Sequence, residues 1–81
     1  MSEYIPIDCA EYSEYELAIL RKWKLRIVWR DDDGLSHVEM LLPRDLRTFQ
    51  GEEFLIAETA AGDPLEIRLD RITEAKRRAE G

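Results

Sequence analysis

No Lys or Arg occurs among the first twenty residues of this chain, although that stretch holds five acids, Glu3, Asp8, Glu11, Glu14 and Glu16. A field of one sign beside a small fold acts mainly by steering and selecting what docks there, and it points to a basic partner. Cysteine is almost absent as well. Cys9 stands alone among 81 residues, so no internal disulfide can form, and a reducing, cytoplasmic setting is expected. With His37 as the one histidine, the chain cannot assemble the three or four nitrogen and sulfur ligands of a usual zinc site. No apolar run approaches the roughly 20 residues that cross a bilayer, and the opening lacks the basic-then-apolar order of a secretion signal. The four glycines are isolated, so there is no phosphate-cradling loop, and no cofactor is implied.

What is present describes one small soluble domain. Hydrophobic residues make up 44% and charged residues 37%, a balance that fits a folded chain rather than a disordered one. Of the net charge of -6, the first twenty residues supply -5; the remainder, with 13 acids against 12 bases, supplies -1. Carboxylates are plentiful, but no spacing selects a catalytic pair, and an enzyme is not expected. Asp31-Asp32-Asp33-Gly34 resembles the start of a calcium loop, yet Leu35 and Leu42 occupy its fifth and twelfth positions, so it reads as a tight turn. Cys9 has no second thiol or neighbouring His to activate it and reads as a small core residue.

Periodicity divides the chain into an acidic extended lead-in (1–12), a single helix-plus-barrel domain (13–72) and a polar, flexible tail (73–81). Ile5 or Ile7 of the lead-in is expected on the core. Ser13-Glu14-Tyr15-Glu16 has the form of a capping box and predicts a helix start, with Arg21 and Lys22 in the last turn before Trp23. From Lys24 the period is two: Leu25, Ile27 and Trp29 share one face and alternate with Arg26, Val28 and Arg30. A second strand carries Val38, Met40 and Leu42 alternating with His37, Glu39 and Leu41, and Pro43 is expected to stop it. Residues 43–52 read as a polar connection in which Asp45-Leu46 makes a turn and Gly51 marks the end. Phe54 to Glu58, and Leu65, Ile67 and Leu69, predict two further strands around the Ala60-Ala61-Gly62-Asp63 turn. Ile72 extends the sheet past a bend at Asp70-Arg71, and the tail is frayed or weakly helical. The fold class is therefore α+β, mostly β: a short helix and a small antiparallel, partly open barrel of the Sm-like or SH3-like kind.

Tyr4-Ile5-Pro6-Ile7-Asp8-Cys9, followed by Tyr12, the Ser13-Glu14-Tyr15-Glu16-Leu17-Ala18 stretch, Asp45-Leu46, Ala60-Ala61-Gly62 and Arg68-Leu69-Asp70-Arg71-Ile72, resembles the Rho-binding antiterminator (Rof) family. The likeness spans roughly residues 4 to 72. It implies an inhibitor of the transcription termination factor Rho, with an Sm-like barrel and an N-terminal helix, that occupies Rho's N-terminal RNA-binding region and keeps RNA from loading. A groove that holds phosphates with Lys and Arg also attracts a rigid row of carboxylates. Carried over by position, the contact surface is Asp8, Glu11, Tyr12, Ser13, Glu14 and Glu16, joined by Arg47 and Phe49 in the connection after Pro43. Tyr12 is either an aromatic anchor at the interface or a residue that packs the helix down.

The resemblance implies Rho as partner, no direct nucleic acid, no membrane and a monomer in the free state. Two other classes stand beside it. A direct RNA binder would stack bases on Tyr15, Trp23 or Trp29 beside Arg21, Lys22, Lys24, Arg26 and Arg30, and an adaptor of the same fold would use another basic partner.

Overall fold

Asp8, rather than Ser13, starts the helix. The computed structural model describes Ile5 and residues 7–77, so Glu3, Tyr4 and Pro6 of the expected lead-in, and the last four residues of the tail, lie outside the described residues. Asp8 is extended (φ -77°, ψ 164°), and its Oδ1 accepts the Glu11 N–H at 2.9 Å, which leaves Cys9–Arg21 as α1. This moves the cap five residues earlier than expected, from Ser13 to Asp8. Ser13 is an exposed residue inside the second turn, and Cys9, expected in the core, is exposed in the first. α1 ends on Lys22 in the left-handed region (φ 59°), whose neighbour Trp23 donates its N–H to the Ala18 carbonyl at 2.9 Å.

Five strands follow: β1 Leu25–Arg30, β2 Ser36–Phe49, β3 Glu52–Glu58, β4 Pro64–Arg68 and, after a 3-10 turn at Leu69–Arg71, β5 Ile72–Arg77. They form one antiparallel sheet in the order β4-β3-β2-β1-β5. The class is α+β, mostly β. The sheet does not close into a barrel, because the two edge strands do not pair, but it has to curl. Three residues separate β4 from β5, a reach of about 15 Å, whereas the outer strands of a flat five-stranded sheet stand about 19 Å apart.

Pro43 does not stop β2, and the polar connection expected over 43–52 is strand until a two-residue hairpin turn. The long strand changes partner along its length: residues 36–41 pair with β1 and residues 42–49 with β3. Pro43 lies past the end of the β1 pairing and next to the register shift that leaves Arg44 bulged, and both are places where a strand can give up a donor. Gln50 and Gly51, both at positive φ (51° and 80°), make the tight turn to β3. The tail expected to fray is β5 as far as Arg77. Its residues are polar because pairing to β1, rather than burial, holds them.

The core is where the sheet meets α1. Leu25, Ile27 and Trp29, the face read from the sequence, are buried with Leu41, Leu55, Ile67 and Leu69 under Tyr15 and Ala18 of the helix. Ile7, not Ile5, packs on it; Ile5 is 69% exposed. The lead-in is tied instead through its backbone. The Ile5 N–H donates to Asp70 Oδ2 at 2.9 Å, and Arg68 grips the same carboxylate with Nε and Nη2 at 2.6 and 3.0 Å. This bidentate fork in the β4–β5 corner sets the chain's course into α1.

Candidate functional site

One stripe of α1 is sunk in the core: Tyr15 and Ala18 are buried, and Tyr12 and Ile19 pack half-buried beside them. At about 100° per residue, that stripe leaves Ser13, Leu17 and Leu20 pointing to solvent, with Glu14 and Glu16 on opposite flanks about 160° apart. Leu17 is 40% exposed and Leu20 75%, a large apolar exposure on so short a helix.

The two flanks differ. On one, Glu11 and Glu14 line a groove between α1 and β5, and burial, then the charges of Glu11 and Glu14, push the Tyr15 hydroxyl up to about 12. On the other, desolvation and then the charges of Glu53, Glu16 and Asp45 raise the Tyr12 hydroxyl above the ordinary tyrosine range. Both phenols therefore remain neutral donors among carboxylates at physiological pH. The charges that act on Tyr12 thus come from Glu53 of β3 and Asp45 of β2 as well as from Glu16 of its own helix.

The structure thus brings Glu11 with Glu14, and Tyr12 with Glu16, while Asp8 is spent on the cap and Ser13 stands between the flanks. Arg47 and Phe49 are not brought into either group. They alternate with Leu46, which packs on the core, and so lie on the outer face of the β2–β3 hairpin; Arg47 Nη1 reaches Glu66 at 3.8 Å and Phe49 is 60% exposed. Leu17, Leu20, Asp45 and Glu53 were not legible as site residues. Leu17 and Leu20 carried a signal, since they fall out of phase with Tyr15, Ala18 and Ile19. Asp45 and Glu53 carried none, because their charges reach Tyr12 only once the sheet has folded against the helix.

Charge pairing sets α1 apart. The eight ion pairs among the described residues join side chains of the sheet and its turns, and none uses an acid of the helix. Glu11, Glu14 and Glu16 are exposed. Among the described residues, no group of three or more His, Cys, Asp or Glu is placed to hold a metal, and no helix is long and apolar enough to cross a membrane.

Two relatives can be set beside these observations. The chain is 36% identical to Protein rof of Escherichia coli (strain K12), and equally to Protein rof of Shigella flexneri, in each case over 70 residues that make up 86% of this chain and 77% of the relative. No protein-family model matches it, and no solved structure does.

Proposed function

The chain belongs to the Rof family, and from that premise we propose that it inhibits Rho-dependent transcription termination by docking the solvent side of α1 on the basic, N-terminal RNA-binding region of Rho. The observation that carries this reading is that, among the described residues, no ion pair uses an acid of the helix, whereas seven acids of the sheet and its turns are paired. Carboxylates already engaged by a guanidinium would have to be released before meeting a partner. Those of Glu11, Glu14 and Glu16 are available, and they border an apolar strip, Leu17 and Leu20, that can bury area at the centre of the contact. The carboxylates give long-range attraction and register; the leucines slow dissociation. Arg47 and Phe49 form a separate contact on the outer face of the hairpin. The protein acts by occupying the RNA site, in the cytoplasm, without a cofactor or chemical step.

Direct RNA binding fits less well. Two of the three aromatic platforms it would use are inside the core, Tyr15 at 5% and Trp29 at 8% exposure, and Arg77 already lies over the Trp23 ring at 4.2 Å.

Calorimetric titration against purified Rho, in parallel with a random RNA and at two salt concentrations, tests the proposal. A complex is expected with Rho alone, and it should weaken toward 1 M salt, where screening shortens to about 3 Å. Glu11→Lys with Glu16→Lys should slow association at least about tenfold and abolish inhibition in a folded protein. Because these two residues stand on different flanks, each single reversal reports which flank meets Rho. Unchanged inhibition in the double variant would overturn the surface.

A further inference from the structure

β5 is an open edge. Among the described residues only β1 lies beside it in the sheet, so the backbone groups along its other side have no strand partner there and form a template for pairing. The opposite edge, β4, is shorter and begins at Pro64, which has no donor. Next to the β5 edge the groove to α1 has a volume of about 660 Å³, and its charge is graded. Arg77, stacked on Trp23 just beyond the helix C-terminus, marks the basic end; Glu11 and Glu14, in the N-terminal half of the helix, belong to the acidic end.

We propose that a second copy of this chain occupies that edge, β5 pairing antiparallel with β5 of the copy across a two-fold axis at Ala75. The order of charge along Ile72-Thr73-Glu74-Ala75-Lys76-Arg77 is what selects a second copy. Antiparallel pairing about Ala75 sets Glu74 opposite Lys76 of the second copy and, by symmetry, Lys76 opposite its Glu74, so the interface is self-complementary. It also sets Thr73 opposite Arg77 of the second copy, bringing that guanidinium to the acidic end of the groove. Docking is an exchange of partners, in which Glu74 gives up Lys76 of its own strand and takes Lys76 of the second copy. Glu74 lies 3.3 Å from Arg26 and 3.2 Å from Lys76 of its own chain, and both Glu74 and Lys76 are well exposed, at 40% and 70%. A register slip of one residue between the copies would break both cross-axis pairs. The dimer covers the Glu11 and Glu14 flank and leaves the Glu16 flank open, so self-association competes with any partner that needs both.

Sedimentation equilibrium from about 10 µM to about 1 mM, a range suited to a small interface, reads the oligomeric state. The native chain should show reversible monomer–dimer exchange. Glu74→Lys and Lys76→Glu should each weaken it about tenfold or more, by placing like charges opposite one another at two positions. An equimolar mixture of the two single variants should dimerise again, because every cross-axis pair then has opposite signs, and the double variant should also recover. Hydrogen exchange on the native chain gives an independent reading: amides of β5 should slow with concentration and those of β4 should not. A chain that stays monomeric at 1 mM, a dimer indifferent to both variants, or a mixture that fails to associate overturns the proposal. None of these outcomes bears on inhibition of Rho, which is measured at concentrations where the monomer prevails.

Discussion

At Asp8 and Ser13 the same local chemistry is offered twice. Asp8-Cys9-Ala10-Glu11 and Ser13-Glu14-Tyr15-Glu16 both have a capping side chain followed three residues later by Glu, and either could begin a helix. The first is used because the longer helix lays Tyr12 on the core together with Tyr15 and Ile19, and burial outweighs a small difference between caps. Asp8→Ala should therefore cost about 1 kcal/mol. Ser13→Ala, inside the helix, should be neutral or stabilising by up to about 0.5 kcal/mol. Urea unfolding followed by circular dichroism separates the two, and the opposite ranking would move the cap back to Ser13. Cys9 shows the same limit at a single position. Its small apolar side chain reads as core, but placement in the first turn leaves it in solvent.

Among the elements, those with a strong period were legible and those held by pairing were not. β1 announces itself through Leu25, Ile27 and Trp29, all of which are buried. β5 does not, because a strand of Thr, Glu, Lys and Arg draws its stability from backbone bonds to β1. β2 was cut short for a related reason. Proline's missing donor matters only where a neighbour asks for it, and at Pro43 the β1 pairing has ended. The bend at Asp70-Arg71, by contrast, was expected and is the 3-10 turn. The helix terminus carries an element-scale prediction: Lys22 sits at φ 59°, where a Cβ is strained. Lys22→Gly should stabilise the chain by about 0.5 to 1 kcal/mol, seen as a raised thermal midpoint with an unchanged spectrum. A fall instead would mean that the Lys22 side chain contributes contacts that outweigh the strain.

Across the whole molecule, acids of the sheet and of the helix respond differently to pH. At Asp70, burial raises the pKa, but the bonds from Arg68 and the Ile5 N–H, with the charges of Arg68 and Arg71, outweigh it and hold the carboxyl below the ordinary aspartate range. Asp31 is held low by its bond from His37 and by the Leu35 and Asp33 N–H groups. A carboxyl with a depressed folded-state pKa stabilises fully above its unfolded value and loses that contribution as pH falls through the folded one. Stability should thus hold at neutral pH and decline below about pH 3.9, the ordinary aspartate value. Asp70→Asn should flatten the decline, as read from urea midpoints between pH 7 and pH 2.5. A midpoint independent of pH in the native chain would contradict the clamp.

The amino-acid order by itself determined the class of the fold, the buried face of β1, the family resemblance and the one-signed charge of the opening stretch, since each is a property of neighbours along the chain. Tertiary structure decided where the helix begins, that the sheet curls without closing, and that the helix acids divide into two flanks around exposed Leu17 and Leu20. It also set the charges of Asp45 and Glu53 within reach of the Tyr12 hydroxyl and left β5 at the edge of the sheet. Those outcomes depend on which strand lies beside which and on how much apolar surface each arrangement removes from water, quantities set by contacts between residues far apart in sequence.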